Sequence, residues 1–158
     1  MAKDDDNDLK LFLRAFDDRI AEIALWLRDF VWDLYPECNE LIYDGPAALA
    51  FGWTPSERTS DVFSTIAIYN NECVQFGFYK GSLLADPEKL LEGKGKQYRF
   101  IRVTEIAGFP IEGAKELLHE AYINSLSTAK GVERAARGTT TVRFISQKKR
   151  RPKPNKTP

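Results

Sequence analysis

Histidine, cysteine and long apolar runs are all scarce in this 158-residue chain. The single histidine, His119, excludes a metal site built from several histidines. Two cysteines, Cys38 and Cys73, are too few for a disulfide framework and favour a reducing compartment. The longest apolar run, residues 46–53, is far shorter than the roughly 20 residues that cross a bilayer. Since the first residues are acidic where a secretory signal would be basic and then apolar, we expect a cytoplasmic protein that does not enter a membrane.

Catalytic and nucleotide-binding motifs are also missing. The chain has no Gly-x-Ser-x-Gly, no dinucleotide-binding glycine pattern and no zinc-ligand spacing. Cys38, Cys73 and His119 are the residues from which a nucleophile and its base could be assembled. However, Cys73 begins a strand pattern, His119 lies within a helix pattern, and cysteine is most often a small buried apolar residue. We therefore expect a protein that is not an enzyme.

The net charge of zero conceals two oppositely charged parts. Residues 1–129 hold 22 of the 23 acids and 13 of the 23 bases, a charge of −9, and residues 130–158 hold the other ten bases and one acid, a charge of +9. Bases and prolines without apolar residues predict a disordered basic tail over residues 147–158. Its Lys148, Lys149, Arg150, Arg151 and Lys153 could neutralise the phosphates of nucleic acid or dock on an acidic partner. The alternative is a solubilising tail that folds loosely onto the acidic part.

A long amphipathic helix is predicted near the start of the chain. Apolar residues alternate in steps of four and three from Leu9 to Leu34, which keeps one apolar stripe along the helix. Asp8 is the predicted N-cap, and Pro36 cannot continue the helix. The spacing therefore predicts a single helix over residues 9–34.

Strand-length patterns follow, and a second helix closes the domain. Five strands are predicted over residues 40–43, 47–53, 62–69, 73–79 and 97–103. A helix is predicted from Pro110 to about Lys130, whereas residues 138–145 have strand propensity and no evident partner. We expect an α+β two-layer sandwich, with a long N-terminal helix and a C-terminal helix packed on an antiparallel sheet of about five strands, as a single domain over residues 1–146.

Four carboxylates lie on the polar side of the predicted first helix. Asp18, Glu22, Asp29 and Asp33 follow one another at spacings of four, seven and four, so they share one ridge. Oxygen ligands of this kind suit hard divalent cations or iron. The alternative is a solvated helix face opposite a core face.

A glycine-rich basic turn precedes the fifth predicted strand. Gly93, Lys94, Gly95 and Lys96 could present backbone N–H groups and ammonium charges to an anion. The phosphate-binding pattern GxxxxGK[ST] is absent, so nucleotide hydrolysis is not implied. The alternative is a flexible turn that enters the strand.

Three segments occur in order in the second half of the chain: residues 76–81 (FGFYKG), the pair Asp86-Pro87, and residues 90–100 (LLEGKGKQYRF). They resemble the YdhG-like family, a widespread bacterial domain of unknown function. Residues 43–46 (YDGP) also resemble its Tyr-Gly-x-Pro turn, with the glycine displaced by one position. The resemblance covers residues 16–118 and implies a compact sandwich similar to frataxin.

Some YdhG-like relatives are described as frataxin-like iron chaperones, and the family has no agreed catalytic residues to carry over. The resemblance and the acidic ridge together predict a non-enzymatic binding protein, with iron or another divalent cation as its cargo and an iron-requiring protein as its partner. The alternative is an interaction module whose basic tail binds nucleic acid or an acidic partner. Either protein would be a monomer or a homodimer.

Overall fold

The computed structural model describes residues 6–149, with side chains from Asp8 onward. Within this range the chain forms three α-helices and a six-stranded sheet. The helices are α1 (Asp6–Leu13), α2 (Asp18–Leu34) and α3 (Ile111–Thr128). The strands are β1 (Asn39–Asp44), β2 (Leu49–Thr54), β3 (Ser64–Ile68), β4 (Val74–Phe78), β5 (Arg99–Val103) and β6 (Thr140–Ile145). The predicted α+β class is confirmed.

The prediction of one uninterrupted first helix is wrong, because the chain leaves the helix between α1 and α2. The backbone of Asp17 is extended, with φ −60° and ψ 152°. Its N–H donates to Asn71 Oδ1 at 2.8 Å, and Arg19 donates to the Asn71 carbonyl at 3.1 Å. The turn between β3 and β4 thus binds the start of α2. Phe16 remains fully buried across the break, which is why the apolar spacing continues and conceals it.

The predicted sheet of about five antiparallel strands is also corrected. Its strand order is β5-β4-β3-β2-β1-β6, and β6 pairs parallel with β1. Residues 138–145, for which the sequence indicates no partner, therefore contain the sixth strand. Asn39 holds the start of this segment by two hydrogen bonds. Its side-chain amide donates to the Ala136 carbonyl at 2.6 Å, and its Oδ1 accepts the Thr139 N–H at 3.2 Å.

One face of the sheet and the three helices share a single hydrophobic core. Side chains alternate between the two faces of a strand, so the core-facing row is formed by partners across neighbouring strands. That row is Ile42, Phe51, Ile66, Phe76 and Ile101, and all five side chains are buried. Trp32 of α2 and Trp53 of β2 meet edge to face at 6.0 Å between ring centroids.

A fully buried ion pair joins α2 to β1. Arg28 Nε and Nη2 donate to the two carboxylate oxygens of Glu40 at 2.8 and 2.6 Å. The Thr140 hydroxyl of β6 donates to the same carboxylate at 2.8 Å. The pair therefore connects the helix layer, the strand β1 and the last strand of the sheet.

The described helices include none with the length and apolar content needed to cross a membrane.

Candidate anion-binding groove

The outer face of the sheet, away from the helices, has a floor of small residues. Leu41, Gly52, Thr65, Gly77 and Phe100 are partners across five neighbouring strands and alternate with the core row. Two glycines and a threonine in the middle of this row leave space above the strands. Larger side chains from the sheet edges and loops can therefore lie flat on the face.

Tyr98 occupies that space directly above Gly77. A Cβ atom at position 77 would lie 2.6 Å from Tyr98 Cε1, so only glycine leaves room for the ring. The Tyr98 hydroxyl donates to Gln75 Oε1 at 3.0 Å, and its ring stacks on Phe100 with 5.7 Å between centroids. Desolvation by burial raises the pKa of Tyr98, so its hydroxyl stays protonated at neutral pH. The ring forms a fixed aromatic surface.

An open groove of about 670 Å³ lies beside Tyr98. One wall is the loop before β5, which contributes Gly95, Lys96 and Gln97, and the other is the short 3₁₀ turn Thr59–Asp61 with the end of β4. The residues that line it with polar or aromatic side chains are Thr59, Ser60, Tyr79, Lys80, Lys96, Gln97 and Tyr98. Among the described residues, no acid lines the groove.

The loop wall is held by hydrogen bonds from its own flanks. Arg99 Nη1 donates to the carbonyls of Gly95 and Tyr98 at 2.7 and 2.8 Å. An antiparallel bridge between Glu92 and Phe100 closes the loop, with N···O distances of 2.8 and 3.0 Å. Gly93 makes the turn with a φ of +132°, a value that L side chains rarely adopt. The basic turn predicted from the sequence is therefore a positioned loop.

The opposite wall, the Thr59–Asp61 turn, is anchored by the buried residue Asp61. The carboxylate of Asp61 is buried and accepts the Ser56 hydroxyl at 2.7 Å. The Asp61 carbonyl accepts the Ser125 hydroxyl of α3 at 2.6 Å. Thr59, at the start of the turn, is hydrogen-bonded to the Tyr43 hydroxyl on the outer face. The turn is thus fixed to the body, and its hydroxyl-bearing residues face the groove.

The phenol groups of the outer face are close enough to raise one another's pKa values. Burial raises the pKa of Tyr79, and the nearby phenols of Tyr43 and Tyr69 raise it further. Tyr69 and Tyr79 contribute in the same way to the raised pKa of Tyr98. Tyr43, Tyr69, Tyr79 and Tyr98 therefore form one cluster on the outer face, in which burial keeps the Tyr79 and Tyr98 hydroxyls protonated at neutral pH. Lys80 and Lys96 add positive charge at its edge.

The residues predicted from sequence as sites are only partly brought together. Lys96 lines the groove, and Lys94 is exposed in the same loop. Lys149 forms an ion pair with Asp44 at 3.2 Å, and Lys148 is exposed. Arg150, Arg151 and Lys153 lie outside the described residues, as does most of the predicted disordered tail.

The four carboxylates of α2, which the sequence predicts as cation ligands, are all exposed. They are Asp18, Glu22, Asp29 and Asp33. Within residues 8–149 no three His, Cys, Asp or Glu side chains are grouped so that they could hold a metal ion. Within the described residues, the ridge therefore does not bring three such ligands together at one point.

The two cysteines and the histidine belong to different segments of the fold, since Cys38 precedes β1, Cys73 precedes β4 and His119 is on α3. Cys38 is buried, and desolvation together with the nearby Glu37 raises the pKa of its thiol to about 12. Desolvation also raises the pKa of Cys73. His119 is exposed on α3. Both thiols are therefore protonated at neutral pH, a state in which cysteine is a poor nucleophile.

Sequence reasoning missed Thr59, Ser60, Tyr79, Lys80 and Tyr98. A partial signal exists, since the alternation in β4 places Gln75, Gly77 and Tyr79 on the half-exposed side of the strand. What the alternation does not give is the approach of the 59–61 turn and of the loop before β5. The groove exists only because these two segments meet at one end of the sheet.

Comparison of the chain with protein-family models, with curated proteins and with solved structures finds no match.

Proposed function

We propose that the protein is a non-enzymatic binding protein whose groove takes a phosphate-bearing ligand with a planar ring, such as a nucleotide. The observation that carries the proposal is the lining of the groove, which combines two tyrosines, two lysines, two aliphatic hydroxyls and a glutamine and, among the residues that the structure describes, includes no acid. Its volume of about 670 Å³ lies within the roughly 300–1,000 Å³ of small-molecule sites.

Each group has a definite role toward such a ligand. The ammonium groups of Lys80 and Lys96 neutralise the phosphate, and the hydroxyls of Thr59 and Ser60 donate to its oxygens. The fixed Tyr98 ring supplies a flat apolar surface for a base. The groove contains no thiol or histidine, which favours binding over reaction.

The test is calorimetric titration of adenosine and uridine 5′-monophosphates into the full chain. Replacing both Lys80 and Lys96 with Ala should weaken binding by at least about tenfold, because charged hydrogen bonds contribute roughly 1.5–3 kcal/mol each. A matched control replaces Lys115 and Lys130 with Ala, since neither lines the groove. Unmeasurable binding to the natural chain at millimolar nucleotide, or an equal loss in both double variants, would refute the proposal.

Carriage of Fe²⁺ or another divalent cation is the second candidate function, and it goes with a YdhG-like, frataxin-like identity. Its support is that Asp18, Glu22, Asp29 and Asp33 are all exposed on one helix, as surface ligands for a transferable cation must be. Anaerobic titration of Fe²⁺ should then show binding that the Asn/Gln variant at these four positions loses. Equal binding by the natural chain and the variant would end this candidate.

The basic residues after β6 complete the proposal. We infer that Lys148, Lys149 and the bases that follow them add affinity for an anionic polymer or an acidic partner, in proportion to their charge.

A further inference from the structure

We propose that the physiological ligand is a single-stranded nucleic acid, which enters the groove with one nucleotide and continues over the 59–61 turn toward β6. The inference rests on the proposed function, because the groove is the first of its binding positions. It adds a path, a polymer and a second set of residues.

Aromatic side chains continue beyond the groove on the same face. Phe100 stacks on Tyr98, and the guanidinium of Arg102 lies 5.8 Å from the Phe100 ring centroid. At the other edge of the sheet, Phe144 of β6 pairs in register with Tyr43 and is 49% exposed. The middle of the sheet face is covered, since Leu41, Gly52 and Thr65 are buried and the 59–61 turn is hydrogen-bonded to Tyr43. Exposed aromatic rings on either side of the turn are the surfaces on which unpaired bases would stack, and stacking tolerates any base.

Positive charge follows the same path. Arg102 is on β5, Lys80 and Lys96 are at the groove, and Arg143 on β6 donates to the Glu57 carbonyl from the far side of the 59–61 turn. Acids also lie near these residues, among them Glu72, which together with Glu92 raises the pKa of Cys73 beside Arg102. Glu92 already pairs with Arg102 at 3.6 Å, and Glu57 accepts the Ala136 N–H at 3.3 Å.

The opposite layer has the reverse charge. Helix α2 carries four exposed acids, and α3 carries Glu112, Glu116 and Glu120. A polyanion is therefore repelled by the helix layer and attracted to the sheet face. Complementary charge of this kind selects the face that a ligand approaches.

The dimensions fit a short single strand. Five intervals separate β5 from β6, and at about 4.8 Å each they span roughly 24 Å. This length accommodates a few extended nucleotides, near the lower end of the roughly 4–16 nucleotides that a single-strand-binding fold covers. A duplex would conceal the base faces that the rings require, so it is not the ligand.

The test measures fluorescence anisotropy of labelled ten-nucleotide oligothymidylate and oligouridylate with the full chain at two salt concentrations. The mononucleotide, a ten-base-pair duplex and a polyglutamate peptide serve as comparison ligands. We expect the oligonucleotides to bind at least tenfold more tightly than the mononucleotide and the duplex, with weaker binding at higher salt. The preference between the two oligonucleotides identifies the sugar.

The variant Arg102→Gln/Phe144→Ala should weaken oligonucleotide binding at least about fivefold, the loss of one stacked base, and leave mononucleotide binding unchanged. The control Arg14→Gln/Ile123→Ala removes an exposed arginine and an exposed apolar side chain from the helix layer and should change neither. Oligonucleotide binding no tighter than mononucleotide binding, equal binding of duplex or polyglutamate, or an equal effect of the two variants would overturn the inference. In each of these cases the proposed function would still stand if replacing Lys80 and Lys96 abolished mononucleotide binding. If that replacement left mononucleotide binding unchanged, both proposals would be refuted.

Discussion

Gly77 is the residue on which the geometry of the groove depends most directly. The Tyr98 ring rests on its Cα, and any side chain at this position would occupy the same space. Tyr98 in turn borders the groove and carries the stacked Phe100. A change of one methyl group at position 77 is therefore transmitted to the aromatic surface of the outer face.

We predict that Gly77→Ala lowers the free energy of unfolding by about 1–3 kcal/mol, the usual cost of overpacking, and weakens mononucleotide binding. Urea denaturation and calorimetric titration measure the two effects. Gly95→Ala is the matched control for the unfolding measurement alone, because a Cβ atom at position 95 meets nothing within 4 Å while Gly95 itself lines the groove. If the two alanine variants unfold alike, Tyr98 is not held by the glycine below it.

For single residues, the sequence predicts the face of the strand on which a side chain lies but not the residue that it contacts. The alternation in β4 places Gly77 and Tyr79 on the half-exposed side, and the loop bases Lys94 and Lys96 can be predicted from the sequence as anion contacts. Tyr98 falls within the predicted fifth strand, and nothing in the sequence pattern assigns it to the outer face. That its ring folds back over a glycine 21 positions earlier depends on the register of β4 with β5.

Among the elements, β6 shows most clearly how tertiary contacts decide local structure. Its residues have strand propensity, but the partner that fixes them is β1, joined to them through Thr140, Glu40 and Arg28. A buried ion pair is costly to form and more costly to break, since removing one member leaves the other charged and unsolvated.

We predict that Glu40→Leu destabilises the protein by about 3–5 kcal/mol, because it leaves the Arg28 guanidinium buried without its carboxylate. The double variant Arg28→Met/Glu40→Leu should recover most of that loss, since matched apolar residues replace both charges. Thermal or urea unfolding of both variants measures the difference. A double variant as unstable as Glu40→Leu would show that packing, rather than the unpaired charge, dominates the loss.

In the helix layer, the apolar periodicity predicts burial but not the ends of the helices. The apolar spacing predicts the buried face correctly from Leu9 to Leu27, because both ends of this stretch are fully buried, whereas Leu34 is exposed. It does not predict the break before Asp18, since the cause is Asn71, a turn residue 54 positions later. Periodicity reports which side of a segment is buried, whereas helix ends depend on partners that the periodicity does not contain.

At the scale of the whole molecule, the two layers carry opposite chemistry. The α+β class and the amphipathic helices follow from composition and pattern, because burial of apolar area dominates folding. The sixth strand, its parallel pairing and the groove do not, since each arises where segments distant in sequence meet. The charge division within the sequence is only approximately the division within the fold, because Lys80, Lys96 and Arg102 belong to the acidic part of the chain and lie on the basic face.

The parallel pairing of β6 with β1 also has a consequence for synthesis. Glu40 leaves the ribosome 100 residues before Thr140, the residue that completes its hydrogen bonds. At roughly 5–20 residues per second, β1 waits for at least several seconds with an uncovered edge beside a charged pair that water can still reach. During that interval the nascent chain presents the kind of unpaired strand edge that pairs with wrong partners. The delay is therefore the vulnerable stage of folding, and the pairing of β6 ends it.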